Sequence, residues 1–536
     1  MQKNGEETKK PNFVIIVADD MGFSDVGCYG SEIHTPHIDS IAHEGVLFTQ
    51  MYTCARCCPS RASLLTGLYP HQAGVGHMVA DLEQPAYRGF LNNSSMTMAE
   101  VLKQAGYNTA LTGKWHVGGF YEVGAPHTWN PGSPGYPTPL TRGFDEFFGT
   151  LEGLGSYYNP HTLMNGDSFI PIDEEFYYTH KITSKSIDFI NRATSSDTPF
   201  FISINYTAPH WPLHALPEDI ARYETTYRKG WDATRTMRHE QMRMLKVVNP
   251  YWGISSRDPE TIPWEDVQNK DWEAMRMAVY AAQIDAMDQG IGNILSTLEA
   301  KGVSDNTLVL FVSDNGACAE FLAENGKEQS LVHPMRNGSM PVLGNIPGII
   351  PGGEETYQSY GRAWANVSNT PFRMFKHWVH EGGIASPCVA RFPNAMKRKG
   401  LRVDAPLHLM DIAPTCYALA GVNYPSSHFT DDTTPLSGED FSPLLHNKTW
   451  SRSEPLYFEH EGNAAVRLEN WKLVRSYGQQ WELYDMDTDR PELVDVRAKN
   501  RKLSSLLEQE YRNWAARCNI LPWDQVRTML KQFSWA

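Results

Sequence analysis

The 536-residue chain reads as an α/β protein: a large mixed, mostly parallel sheet flanked by helices, plus a smaller C-terminal α+β unit with an antiparallel sheet. Three observations carry that reading. Short apolar runs, such as Phe-Val-Ile-Ile-Val-Ala at 13–18, alternate with helix-period segments from residue 12 to 420. Strands alternating with helices imply a parallel sheet covered on both faces. After Pro435 the pattern changes to short strands close together, with one helix behind them. The domains are therefore drawn as 1–435 and 436–536.

Each element follows from local chemistry. Residues 12–20, Asn-Phe-Val-Ile-Ile-Val-Ala-Asp-Asp, form a buried strand that ends in two carboxylates. A helix over 38–45 and a strand over 46–52 come next. Pro59 suits the first turn of a helix, where no N–H is needed. Cys57 is thus expected at or just before the N-terminus of a helix that Gly67 closes. A helix over 96–105 and a strand over 108–112 lead into a strand-end loop at 113–116. Further strands are expected over 199–206, 306–312 and 387–392, and helices over 271–301 and 409–420. Residues 120–175 and 320–370, rich in Gly, Pro, Asn and Tyr, read as long insertions that shape a pocket. Strands over 455–460, 465–468, 471–476 and 481–484 make a meander, and 501–517 a helix.

Hydrophobic residues at 41% supply a sizeable core and exclude global disorder. The longest apolar runs, such as 13–18 and 277–282, fall far short of the ~20 residues of a membrane span. The net charge of −15 argues against nucleic-acid binding, since phosphate backbones attract basic surfaces. An anionic ligand would need its cationic contacts gathered locally. The first eleven residues are polar and hold no apolar stretch, so no signal peptide is expected there. Eight cysteines in a chain this long are not a disulfide scaffold, yet three crowd into residues 54–58.

Polar chemistry collects at the carboxyl ends of four expected strands, where ligands bind in open α/β sheets. Asp19 and Asp20 end the first, Lys114 and His116 follow the second, His210 the third, and Asp314 and Asn315 the fourth. Four oxygen donors, three of them charged, describe a site for a hard cation, Ca²⁺ or Mg²⁺. Singly, each piece has a plainer reading. Asp19-Asp20 suits a turn or helix cap, and Asp314-Asn315-Gly316 a tight turn. Cys54-Ala55-Arg56-Cys57 is formally a redox or zinc pair, but no second Cys/His pair lies at ligand spacing. His210 and His214 have the spacing of a helical zinc pair, which Pro212 argues against.

Cys57-Cys58-Pro59-Ser60-Arg61-Ala62-Ser63-Leu64-Leu65-Thr66-Gly67 resembles the signature of the formylglycine-dependent sulfatases. Gly106-Tyr107-Asn108-Thr109-Ala110-Leu111-Thr112-Gly113-Lys114-Trp115-His116 resembles their second signature. The likeness runs over roughly residues 10–500. It implies an alkaline-phosphatase-like fold and hydrolysis of a sulfate ester, of a carbohydrate or an aryl alcohol. It also implies that a separate maturation enzyme oxidises Cys57 to formylglycine, and that the protein is periplasmic or secreted. The aldehyde hydrate would offer two hydroxyls: one attacks sulfur to form a covalent sulfo-enzyme, and the second drives release of sulfate. By the same resemblance Asp19, Asp20, Asp314 and Asn315 bind Ca²⁺ together with residue 57, and Arg61 steadies the pair. His116 takes the proton in the release step. Lys114, His210 and Lys376 hold sulfate oxygens, and His210 or Lys376 protonates the alcohol. His377 rivals Lys376 for its place. His77, Trp211 and Glu320, with His71 and Arg373, are candidate contacts to the alcohol. Polar Glu320 and His77 favour a sugar, whereas an aryl group wants apolar walls. Two other functions fit the same residues: a phosphodiesterase or phosphonate monoester hydrolase, and a sulfated-glycan binding protein without turnover.

Overall fold

The computed structural model describes residues 9–425, 427–428 and 431–532; the first eight residues, part of the segment read for a signal peptide, lie outside them. An eleven-stranded sheet runs through the middle of the molecule. Its order is Leu401–Val403, Val46–Tyr52, Ala385–Arg391, Thr307–Ser313, Asn12–Ala18, Phe200–Asn205, Asn108–Lys114, Glu146–Thr150, Leu163–Asn165 and Ser168–Phe169, with Leu407–His408 also on Val46–Tyr52. The five strands from Thr307–Ser313 to Glu146–Thr150 are mutually parallel.

Alternation along the first strand explains the layering. Val14 and Ile16 face one core, which includes the helices Tyr178–Ala193 and Lys270–Ala300. Phe13, Ile15 and Val17 face the other, with the helix Cys57–Thr66. Both faces are covered, so the strands are apolar throughout, and Lys270–Ala300 is buried nearly all round.

One strand runs the other way. Ala385–Arg391 is antiparallel to both Thr307–Ser313 and Val46–Tyr52. Its start therefore lies at the edge where its neighbours end, and the segment before it, with Lys376, reaches that edge.

The segment 120–175 is more than an insertion. Glu146–Thr150 extends the main sheet beside Asn108–Lys114. Its two phenylalanines sit between Gly-rich flanks in too short a run to show a period. The helix Trp523–Leu530 had no expected counterpart either.

Near the C-terminus, Leu456–His460, Asn463–Leu468, Trp471–Arg475 and Glu482–Asp485 form an antiparallel sheet in sequence order. The helix Arg501–Arg517 packs on it, with Trp514 stacked on Tyr457 at 5.1 Å. Its inner face shares a core with the large sheet. A buried ion cluster fastens the two sheets. Lys472 Nζ lies 2.8 Å from Glu381 and 2.8 Å from Glu492, and Arg490 Nε 2.7 Å from Glu381. Burial pushes the Glu381 carboxyl up, but Lys472 and Arg490 outweigh it and hold it at about 2.

That cluster sets a pH-dependent expectation. A carboxylate with a folded pKa below its unfolded value of about 4.3 stabilises fully above the unfolded value and loses that stabilisation as pH falls toward the folded one. Glu381→Gln should flatten the loss of stability between about pH 4.3 and pH 2 in denaturant titrations. Lys472→Met, which leaves Glu381 with Arg490 but takes the close cation from buried Glu492, should cost about 3–5 kcal/mol in the same assay.

Candidate active site

The parallel strands end in a buried charged crevice. Asp19 and Asp20 follow Ala18, and the Asp314 amide donates to the Ala18 carbonyl at 3.1 Å, so the two acidic tips lie side by side. Asp20 turns away in the left-handed region, at φ 67°. Its amide donates to Asp314 Oδ1 at 3.2 Å and Asn315 Nδ2 donates to its Oδ1 at 2.7 Å. Lys114 Nζ donates to Asp19 Oδ2 at 2.6 Å. Arg61 reaches up from its helix and bridges both tips, with Nη2 2.9 Å from Asp314 Oδ2 and 3.7 Å from Asp19 Oδ1. Lys376 Nζ sits 2.8 and 2.9 Å from the two oxygens of Asp20. His210 Nε2 is 3.4 Å from Asp20 Oδ2 and 3.4 Å from Lys376 Nζ.

These contacts set the protonation pattern. Burial, with Asp19 alongside, pushes Asp314 up to about 8. Burial raises Asp19 too, and Lys114 and Arg61 only partly offset it. Asp20 is also buried, but Lys376 and His210 win there and hold it below the usual range. Burial keeps His116 and His210 neutral, each at about 4.

Cys57 opens its helix with Arg56 as N-cap. A hydrogen bond from Cys58 pulls the Cys57 thiol well below its ordinary value, aided by Lys114, Lys376 and His116. Burial drives Cys58 the other way. All eight cysteines are free, and Cys54 turns to Ser63 Oγ at 3.3 Å and His408 Nε2 at 3.6 Å. His214 is held by Thr356 O at 2.7 Å and is no partner of His210.

Above the crevice opens a cavity of about 720 Å³. Cys57, His116, His210 and Lys376 lie at its floor, and Met78, Val79, Phe120, Leu154, Trp211, Phe321, Leu331, Trp523 and Leu530 supply apolar wall. Of the residues expected to touch the alcohol, His77, Trp211 and Glu320 line it. His71 and Arg373 do not: His71 is buried against Glu459 at 3.0 Å, and Arg373 ties to Tyr484 at 3.0 Å. Glu320 and His77 are already engaged. Arg56 and the Trp211 indole each donate to one Glu320 oxygen at 2.8 Å, and His77 Nε2 is 2.9 Å from Glu461. Between the rivals, Lys376 turns to Asp20, whereas His377 turns to Glu461 at 3.0 Å. Glu152, Glu461, Trp523 and Arg527 also line the cavity, with no signal in the sequence that marks them as site residues. Glu461-Gly462 falls in the gap between two expected strands, but nothing in the sequence places that tip against residue 77.

The mixed, mostly parallel sheet with a charged crevice at its strand ends is of the alkaline-phosphatase-like α/β class. Residues 11–422 match the family model described as sulfatase, and residues 372–515 that of the N-sulphoglucosamine sulphohydrolase C-terminal region. The chain is 33% identical to an uncharacterized sulfatase of Schizosaccharomyces pombe over 91% of this chain and 90% of the relative. It is 31% identical to an arylsulfatase of Klebsiella aerogenes over 84% and 95%, respectively. The crystal structure of Ps i-CgsB superposes with a TM-score of 0.67 at 25% identity, covering 94% of this chain and 93% of that one. The chain belongs to the sulfatase family, enzymes that hydrolyse sulfate esters.

Thiol reactivity reads out the electrostatics. In protein whose residue 57 is still cysteine, iodoacetamide should label Cys57 at least about tenfold faster than Cys58 or Cys318 at neutral pH, as followed by peptide mass spectrometry.

Proposed function

We propose that the protein hydrolyses sulfate monoesters of largely apolar, aryl-type alcohols, using formylglycine made from Cys57 and a Ca²⁺ ion at the strand tips. The observation that carries the choice of alcohol is the cavity wall. The case for a sugar rested on Glu320 and His77 as polar contacts, and both are bound to protein partners. The remaining wall is mostly apolar, which suits an aromatic ring. The arylsulfatase relative supports the same choice.

The donors fit a hard cation. Asp19 Oδ1 and Asn315 Oδ1 are buried and make no hydrogen bond, beside the carboxylates of Asp20 and Asp314. An all-oxygen set is what Ca²⁺ takes; Mg²⁺ takes the same atoms at shorter range. Ca²⁺ would withdraw charge from a residue-57 oxygen, and formylglycine would give that residue a hydroxyl nucleophile with a second hydroxyl for release.

The other side chains have separable tasks. Lys114 and Lys376 hold the sulfonyl oxygens, His210 Nε2 positions Lys376 Nζ from 3.4 Å, and Arg61 fixes the acidic tips. Neutral His116, beside Cys57, takes a proton from residue 57. Nδ1 of His210 lies 2.6 Å from the Trp211 carbonyl, so it carries the proton and leaves Nε2 an acceptor. Lys376, held charged by Asp20, is then the proton source for the departing alcohol. The unit 436–536 acts as a wall of the cavity, through Glu461, Trp523 and Arg527. A maturation enzyme and a periplasmic or secreted setting complete the proposal; among the described residues no helix is long and apolar enough to cross a membrane.

Two measurements test this reading. On matured enzyme, kcat/KM for 4-nitrophenyl sulfate should exceed that for glucosamine 6-sulfate and for an aryl phosphodiester by about a hundredfold or more, roughly 3 kcal/mol of transition-state binding. A preference for the sugar refutes the alcohol assignment, and a preference for the diester refutes the reaction. Asp314→Asn should release the bound calcium, seen by elemental analysis, and lower kcat by at least about a hundredfold. Retained calcium would displace the ion from these residues.

A further inference from the structure

We propose that His77, His460 and Glu461 form a binding site for a divalent transition-metal ion, zinc by its ligand set, in the wall of the active-site cavity. The proposal goes beyond the hydrolytic reading and does not depend on it. One ligand atom from each of the three residues lies within 4.8 Å of the other two, close enough for one ion to draw all three in. His460 is fully buried, and neither of its ring nitrogens makes a hydrogen bond. Nδ1 of His77 is buried and unpartnered as well. His460 Nε2 comes no nearer than 3.5 Å to Glu461 Oε1, so this buried imidazole forfeits the hydrogen bonds such groups otherwise make. A metal ion supplies the missing partner.

The contacts already bring the ligands to one point: His77 Nε2 lies 2.9 Å and His460 Nε2 3.5 Å from the same Glu461 oxygen. Nδ1 of His377 is 3.0 Å from the second Glu461 oxygen and so aims the carboxylate, the part an outer partner plays around a metal. The backbone agrees. Glu461 and Gly462 both have positive φ, 51° and 79°, at the tip of the hairpin between Leu456–His460 and Asn463–Leu468. Asn or Asp would sit more easily at the first of these positions. A glutamate there accepts strain to put its longer carboxylate between the histidines.

Two imidazoles and one carboxylate with an open fourth position are the ligands zinc takes at working sites. They differ in kind from the all-oxygen donors at the strand tips, which suit calcium. His77 and Glu461 line the same cavity as Cys57, so the open position faces the space the alcohol occupies.

The test is metal binding to the intact chain carrying Cys57→Ser, saturated with Ca²⁺. Zn²⁺ titrated against a chromophoric chelator should bind at one equivalent, and His460→Ala, Glu461→Gln and His77→Gln should each weaken it by at least about tenfold. Thermal melting without zinc identifies any variant that fails to fold. Co²⁺ in place of Zn²⁺ should show visible tetrahedral bands without the near-ultraviolet band of a thiolate ligand. Failure of the unsubstituted cluster to take up zinc, equal affinity in the His460→Ala/Glu461→Gln double variant, or a thiolate band lost with Cys58 would each overturn the proposal. None of these outcomes bears on sulfate-ester hydrolysis.

Discussion

The site depends on burying charge in balance. Three carboxylates, Asp19, Asp20 and Asp314, face three cations, Arg61, Lys114 and Lys376, and none of the six is more than 4% exposed. Each ion taken from water costs several kcal/mol unless a partner repays it. The partners are not shared evenly. Asp20 has Lys376 close to both its oxygens and stays ionised. Asp19 has Lys114 on one oxygen at 2.6 Å and only a distant share of Arg61 on the other, and Asp314, with Arg61 alone, rises to about 8. Negative charge is therefore least well matched between Asp19 and Asp314, beside the idle oxygens of Asp19 and Asn315. That is where a divalent cation gains most.

Topology makes this balance possible. No local segment could hold six ions, because each would sit beside its own unsatisfied backbone. Parallel strands deliver one or two polar residues each to a common edge, with the apolar strand left behind in the core. The reversed strand Ala385–Arg391 is the needed exception. It brings Lys376 in from its leading end, opposite the tips that carry the acids.

The sheet and the crevice were legible because their signals are local. An apolar run that stops at Asp19-Asp20 or Asp314-Asn315 announces both a buried strand and its polar tip. Pro59 and Gly67 bracketed the helix that Cys57 opens. The walls were not legible, since they are made by contacts distant in sequence. His77 meets Glu461 across 384 residues, and Arg56 meets Glu320 across 264. Nothing in either neighbourhood states that a polar side chain is already satisfied. Glu320 and His77 read from sequence as contacts to the alcohol; both line the cavity, and each also has a protein partner that the sequence does not announce. Glu146–Thr150 was lost for a related reason: five residues that include Gly149 carry too little pattern to mark a strand.

Selectivity for a sulfate ester then has to come from the floor of the cavity. Arg56, Lys327, Arg527 and Lys531 line the cavity above that floor, but so do Glu152, Glu320, Glu328 and Glu461. The rim is thus close to electrically even, and the chain as a whole is acidic at −15. At physiological salt, charges more than about 8 Å apart scarcely feel each other across water. The net acidity therefore does not reach a ligand already inside, whereas the buried cations do. Such a site attracts one compact anionic group at its base and gives no second grip to further negative charge. A polysulfated chain laid along the rim would meet Glu328 and Glu461 as often as a cation. An ester with a single sulfate and an apolar body meets attraction at the floor and favourable burial along Met78, Phe120, Leu154 and Trp211. The same charge balance that keeps the crevice folded is thus the physical basis of the preference proposed above for the alcohol half of the substrate.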